Sequence, residues 1–321
     1  MDIKNNIQDN RVYTISILLA TYNGETYLRK QLDSLLNQDF KDFRIIVADD
    51  ASTDDTRKIL LEYKNKYKNS IELVFNNKSL GAKKNFIQLL SKYGKDSEYL
   101  MFCDQDDVWE NNKISISLET IKKLESSNKY PALVYTDLKI CSKTLEISSN
   151  SMYKSLNLYK IDSFSKLLCE NKITGNTIIL NRNLANIATT LDIDYISENI
   201  LMHDWYLGLL ATYLSKIEFI DKALVLYRQH ESNVLGVKKL SLAEVIERKK
   251  KAKKTYELMY KQARLIYEIA KKNNIKSENE YVLKNFISMQ YKSRLEKMIV
   301  CIKNKFYKSG FLLSLSQIFS I

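Results

Sequence analysis

With 321 residues, 45% of them hydrophobic and 27% charged but only 7 Gly and 1 Pro, the chain has the composition of a folded globular protein, which excludes collagen-like and disordered classes. Its net charge of +12 is concentrated at one end: residues 238–321 carry 20 Lys and Arg against 7 Asp and Glu, a net of +13, while residues 1–237 are close to neutral. The four cysteines, Cys103, Cys141, Cys169 and Cys301, are far apart and form no C-x-x-C pair, which argues against a zinc knuckle or dithiol centre and fits a reducing compartment.

The first predicted element is a strand over Tyr13–Ala20, followed by the polar turn Thr21-Tyr22-Asn23-Gly24 and a helix marked by Leu28, Leu32, Leu35 and Leu36. Phe43–Ala48 repeats the strand pattern and ends in Asp49-Asp50. Ser52-Thr53-Asp54 then supplies capping oxygens for a helix through Ile59 and Leu60. A third strand, Ile71–Phe75, precedes a helix that starts near Gly81 and carries Phe86, Leu89, Leu90 and Tyr93 on one face. A fourth, Tyr99–Cys103, runs into Asp104-Gln105-Asp106-Asp107. Strands alternating with amphipathic helices predict an α/β fold with a mostly parallel sheet, and such sheets bind ligands outside the carboxyl ends of their strands.

After a helix around Ile114, Leu118 and Ile121 the pattern becomes mixed, with strands at Ala132–Leu138, Thr177–Leu180 and Ala223–Tyr227 and a helix through His203–Leu214. Beyond Ser241 the sequence predicts two long helices, about 242–272 and 278–308. Leu295, Met298, Ile299, Ile302 and Phe306 form a stripe on the second, and an uncharged apolar segment over 311–321 follows. The expected division is therefore a catalytic domain over 1–237 and a basic helical extension over 238–321.

Asp104, Asp106 and Asp107 crowd three carboxylates against the end of a buried strand, where they repel one another unless a cation or solvent intervenes. Mg2+ or Mn2+ is one relief; a solvated acidic turn capping the next helix is the plainer one. Asp49-Asp50 makes a second acidic strand end, suited to a nucleobase or ribose or to an ordinary helix cap. Together with the Thr21–Asn23 turn on the same sheet edge, the two loops outline a nucleotide pocket. No G-x-G-x-x-G follows the first strand, and neither G-x-x-x-x-G-K-[ST] nor G-x-S-x-G occurs, so dinucleotide dehydrogenases, P-loop NTPases and serine hydrolases lose their support.

Four ordered motifs resemble those of family 2 glycosyltransferases: Ile17-Leu18-Leu19-Ala20-Thr21-Tyr22-Asn23-Gly24, Val47-Ala48-Asp49-Asp50-Ala51-Ser52-Thr53-Asp54, Asn77-x-x-x-Gly81-x-x-x-Asn85 and Asp104-Gln105-Asp106-Asp107. His203-Asp204-Trp205-Tyr206 and Tyr227-Arg228-Gln229-His230-x-x-Asn233 look like later motifs of the bacterial rhamnosyltransferase-like branch. The resemblance implies a GT-A fold and a metal-assisted, inverting transfer of a sugar, rhamnose in the first instance, to a hydroxyl acceptor during cell-surface polysaccharide synthesis. It implies a dTDP- or UDP-linked sugar donor, a saccharide or lipid-linked saccharide acceptor, and Mn2+ or Mg2+ as cofactor. Carried over by residue, Asp204 is the catalytic base. Tyr22 and Asp50 meet the base of the donor, with Thr21, Asn23, Lys83, Asn85, Asp104, Gln105, Asp106 and Trp205 around the nucleotide sugar. Asp106, Asp107 and His230 serve the metal. Trp205 also fits a packing role or a sugar platform, and His230 a structural one.

An inactive nucleotide-sugar-binding protein of the same fold and a basic nucleic-acid-binding protein are the alternatives. Intact Asp104, Asp106, Asp107 and Asp204 speak against the first, and the absence of any nucleic-acid motif against the second. The basic run 248–254 reads as a solvated face or as an attachment to anionic lipid, with the 311–321 segment entering the interface, covering the core or joining two copies into a dimer. The first ten residues lack a secretion signal, and no apolar run approaches the ~20 residues of a membrane span. A cytoplasmic protein, peripheral at the inner face of the plasma membrane, is expected.

Overall fold

The computed structural model describes residues 13–125, 130–158, 160, 161, 163–230 and 242–307. Asn233 and the 311–321 segment lie outside the described residues, as do the side chains of 248–252 within the basic run.

The strands are β1 (Tyr13–Thr21), β2 (Phe43–Asp49), β3 (Ile71–Phe75), β4 (Ser97–Cys103), β5 (Val108–Trp109), β6 (Ala132–Cys141), β7 (Ile147–Ser149), β8 (Ile178–Asn181) and β9 (Lys216–Arg228). Helices α1 (Leu28–Leu36), α2 (Thr56–Lys66), α3 (Ala82–Tyr93) and α4 (Lys113–Glu125) alternate with the first strands. The short helices α5 (Met152–Ser155), α6 (Phe164–Cys169), α7 (Arg182–Ala188) and α8 (Ile193–Asn199) follow, then α9 (His203–Leu214). The tail is α10 (Leu242–Lys272), α11 (Glu280–Ser288) and α12 (Arg294–Asn304).

One nine-stranded sheet runs in the order β3-β2-β1-β4-β8-β6-β9-β5, with β7 on β6. Its first four strands are parallel, β8 is antiparallel to both neighbours, and β9 runs parallel to β6. The alternating half of the sequence thus builds the parallel half of the sheet, and the irregular half completes it as a mixed one. Each central strand is buried on both faces. Leu18, Ile46, Leu100 and Phe102 point to a core shared with α3, α9 and α10, and Ile15, Ile17, Leu19, Ile45 and Val47 to one shared with α1, α2 and α4. Strands covered twice read as near-continuous apolar runs, which is why β1, β2 and β4 stand out in the sequence.

The tail packs on the same core, with Tyr256, Met259, Tyr260, Ala263, Ile266, Leu283 and Phe286 buried in the cluster that holds Tyr206 and Leu210 of α9. α10 matches its expected span, but the single helix expected over 278–308 is two. A 3-10 turn at Met289–Tyr291 and an extended Lys292 end α11, and Ser293 restarts the chain with a reciprocal capping box to Glu296. Among the described residues no helix is long and apolar enough to cross a membrane, and all four cysteines are buried and outside any disulfide.

Candidate active site

The order β2-β1-β4 makes β1 the switch point of the parallel half, and Leu19 faces Cys103 while Thr21 faces Asp49 across neighbouring strands. The loops after β1, β2 and β4 therefore leave the sheet side by side, where ligands bind in open α/β sheets.

Much of the polarity in these loops holds the loops themselves. Buried Asp49 accepts hydrogen bonds from Thr21 Oγ1 (3.2 Å), Ser52 N (3.1 Å) and Arg57 Nε (2.6 Å), as well as from Ser52 Oγ. Buried Asp50 accepts from Asn76 Nδ2 (3.0 Å), Ser79 Oγ (2.8 Å), Leu80 N (2.8 Å) and Gly81 N (2.8 Å). Burial alone would raise its pKa, yet those donors hold it below the usual carboxylate value. Asn23, at φ 48°, takes the Thr53 amide on Oδ1 (2.9 Å) and gives its own amide to Ser52 Oγ (2.9 Å).

Gln105 bonds both ways to the Tyr22 backbone, accepting from N (2.8 Å) and donating to O (2.9 Å). A Cβ at Gly24 would collide with the same amide, so a larger residue there would displace the Gln105 side chain from the Tyr22 backbone. Asn85 is buried between Ala48 O (3.0 Å) and Asn76 (3.2 Å), and Lys83 reaches Ile200 O (2.9 Å), its pKa lowered by burial although Glu198 opposes. Trp205 is buried with Nε1 on Leu167 O (2.7 Å), a packing position instead of an exposed platform. Of the side chains expected around the base, Tyr22 is the one left exposed.

The acidic loop after β4 is where groups with chemistry converge. Asp106 Oδ2 lies 2.9 Å from His230 Nε2, and the His230 ring stacks on Tyr27 at 5.2 Å. β5 pairs antiparallel with β9, Val108 opposite Leu226, and this brings residues 226–230 beneath the loop. Arg228, fully buried, donates from its amide to Asp107 Oδ1 (3.0 Å), from Nε to Asp106 O (2.7 Å) and from Nη1 to Lys143 O (2.5 Å), with its guanidinium 4.5 Å from the Tyr27 ring centre.

Asp107 was expected among the metal ligands. It is fully buried and spends its carboxylate on the Arg228 amide and the Asn176 side chain, so it shapes the loop from inside. Burial, then Asp106 and Asp104, push its pKa well above the ordinary value.

Asp204 sits in the first turn of α9, accepting from Asn171 Nδ2 (3.1 Å), from Trp205 N (2.5 Å) and from the Gly175 amide. Burial raises its pKa to about 6 against those donors. Asp104 is pushed up to about 7 by burial, then by Asp106 and Asp204, which places Asp104 within the field of both. The preceding His203 is wedged against Phe86 (4.2 Å) and Phe102 (5.1 Å), and burial lowers its pKa to about 3, so it stays neutral.

Asn171, Gly175 and Asn176 were not singled out from the sequence, and Arg228 was named there only within a motif, without a role. Lys113 was missed too: buried beneath the loop, 3.7 Å from the Trp109 ring centre, it has its pKa lowered to about 7 by burial.

A β-carbon at Gly175 would come 2.6 Å from His203 Nε2, so alanine there must move either the ring or the backbone that donates to Asp204. Gly175→Ala is expected to cost about 1–3 kcal/mol. By removing a donor it should also move the acidic limb of the pH–rate profile to higher pH. Thermal unfolding and kcat/KM from pH 5 to 8 check both; an unchanged limb refutes the link.

For a divalent cation, the fit is a pair. Among the described residues no cluster of three His, Cys, Asp or Glu side chains is assembled for a metal, and Asp106 with His230 are the two expected ligands that meet. Mg2+ and Mn2+ at phosphate sites take one or two protein carboxylates and fill the remainder with phosphate oxygens and water, so the pair suits an ion that arrives with a diphosphate.

The acidic loops thus lie at the switch point of the parallel half of a mixed sheet, with the Asp204 carboxylate at a helix start within the field of Asp104. Residues 16–168 match the family described as Glycosyl transferase family 2. The chain is 31% identical over 231 residues to the dTDP-rhamnosyl transferase RfbG of Shigella flexneri, covering 68% of this chain and 73% of that one. It therefore belongs to glycosyl transferase family 2 and is a glycosyltransferase. Among solved structures it is similar to S. aureus TarS 1–349 in complex with UDP (TM-score 0.53, 20% identity, 86% of this chain and 70% of that one). It is also similar to the mannosyltransferase PcManGT of Pyrobaculum calidifontis in complex with GDP-Man and Mn2+ (TM-score 0.54, 14% identity, 87% and 70%). At these identities the likeness establishes the shared fold.

Proposed function

We propose that this enzyme transfers rhamnose from a dTDP- or UDP-linked donor to a saccharide hydroxyl in the synthesis of a bacterial surface polysaccharide, inverting the anomeric carbon. The observation that carries the reading is the contact of Asp106 with His230 in the loop after β4, with Asp204 near enough to Asp104 to help raise its pKa. The Shigella rhamnosyl transferase supports the sugar.

In this reading Tyr22, exposed at the end of β1, offers its ring to the base, and Asp104 faces the ribose and diphosphate. Asp106 and His230 hold Mn2+ or Mg2+, which when bound supplies Lewis-acid stabilisation of the departing diphosphate. Asp204 does the proton chemistry. An acceptor hydroxyl is too weak an acid to ionise near neutrality, so its proton must pass to a base as the new C–O bond forms. With its pKa about 6, Asp204 is ionised at pH 7 yet far more basic than a solvated carboxylate. The Asn171, Trp205 and Gly175 donors fix the carboxylate's direction. One displacement, with donor and base on opposite sides of the anomeric carbon, inverts it.

The test is thermal shift with UDP-, dTDP- and GDP-sugars, with and without Mn2+. A donor at 100 times its dissociation constant adds ~2.7 kcal/mol, or roughly 5 °C for a protein of this size. dTDP-rhamnose or a UDP-sugar with Mn2+ should give the largest shift, and a flat response across the panel rejects the reading.

A further inference from the structure

α12 is apolar on two sides. One side turns Cys301 inward, and Phe306 just beyond it closes the core edge-on against Phe286 at 5.2 Å. On the other, Leu295, Ile299 and Ile302, spaced four and three residues apart, form a ridge that is 73%, 64% and 61% exposed, and Tyr291, 79% exposed, extends it beyond the helix start. The helix is firmly begun by the Ser293–Glu296 capping box and anchored on its inner side, so the ridge is a fixed surface. A contiguous outward apolar ridge on such a helix marks a contact with something outside the fold.

The charges around the ridge say what. Between Met289 and Tyr307, Lys292, Arg294, Lys297, Lys303 and Lys305 stand against one carboxylate, Glu296. By helical spacing Arg294 and Lys303 fall on opposite flanks of the ridge. The structure assigns this face a partner: we infer that the Leu295–Ile299–Ile302 ridge docks α12 into the headgroup region of an anionic bilayer.

A helix of this pattern lies in the plane of the interface with its apolar side chains among the acyl boundary and its basic flanks on anionic headgroups. A second copy of the chain fits less well. The ridge offers on the order of a few hundred Å2, below the ~800 Å2 per partner of a stable interface. A two-fold pairing would also set the basic flanks of one copy against those of the other. The inference stands independently of the transfer reaction, since it rests on a surface that includes no residue of the active site.

Flotation of the full chain with vesicles of phosphatidylglycerol and phosphatidylcholine in equal parts, and of phosphatidylcholine alone, tests it. The protein should float with the anionic vesicles, and about 0.5 M salt should weaken the attachment by shortening the Debye length to a few Å. Leu295→Ser/Ile299→Ser/Ile302→Ser should lower the partition coefficient at least ~10-fold, with donor-induced thermal shifts unchanged. Should that variant unfold, Arg294→Glu/Lys303→Glu leaves the apolar ridge intact and is expected to lose binding to anionic vesicles alone. Flotation of the triple variant like wild type, no affinity of wild type for phosphatidylglycerol, or a dimer in sedimentation velocity that the serine variant dissociates would each overturn the inference. If flotation succeeds while every nucleotide fails to shift the melting temperature, the docking face stands and the donor assignment falls.

Discussion

Asp204→Asn is expected to lower kcat by ~10^3-fold or more, within or above the 10^2–10^4 range of a positioned general base, while leaving the donor-induced thermal shift in place. The amide keeps the carboxyl's shape and its contact with Asn171 after a flip, but it cannot take a proton. In the wild type, activity should rise as pH passes about 6, where Asp204 ionises, and then level off.

The same substitution should stabilise the apoprotein. A carboxyl whose folded pKa lies above the ordinary value of 3.8 binds more protons folded than unfolded between those two pH values. Stability is therefore highest below pH 4 as far as this group is concerned and falls as pH rises through about 6. At pH 7 the buried charge costs about 3 kcal/mol, and asparagine removes that cost. A variant that melts higher but turns over poorly is the expected signature; equal losses of both would point to a structural role instead.

Arg228→Met should have the opposite profile. Methionine fills much of the volume beneath the acidic loop and keeps the backbone amide that donates to Asp107, but removes the side-chain donors to Asp106 O and Lys143 O. Each buried carbonyl left without its donor costs ~1–3 kcal/mol. Because Asp106 and His230 leave the chain on either side of this arginine's contacts, donor and Mn2+ binding should also weaken, by ~10-fold or more for a loss of 1.4 kcal/mol or above. Urea unfolding and Mn2+-dependent thermal shift measure the two effects. Wild-type melting with lost activity would show that Arg228 acts on the donor and not on the loop.

The features legible in the sequence were those written locally. β1, β2 and β4 announce themselves as doubly buried apolar runs, and the loops after them carry their polar residues at fixed offsets, so the location of the site followed from strand alternation. The pairing of β5 with β9 did not, because a two-residue strand whose partners lie 116 and 118 positions further along leaves no local period, and that pairing is what sets Arg228 and His230 under the acidic loop. Nor does spacing tell which way a carboxylate turns: Asp106 and Asp107 are neighbours, yet one meets His230 and the other faces inward to Asn176. The break between α11 and α12 was written plainly as Ser293-x-x-Glu296, but an uninterrupted apolar stripe outweighed it. Asn171, Gly175 and Asn176 lie in an irregular stretch where neither period applies, and only the folded chain shows them gathered near Asp204 and Asp107.

The burial of α10 against α9 makes the basic tail a poor candidate for exchange between relatives. Its inner surface is moulded to the helix that bears Asp204, so a transplanted tail of different shape would tilt that helix as well as change what the outer surface touches. Diversification of such enzymes is thereby steered toward the outward side chains of the tail, which can vary without retuning the reaction centre.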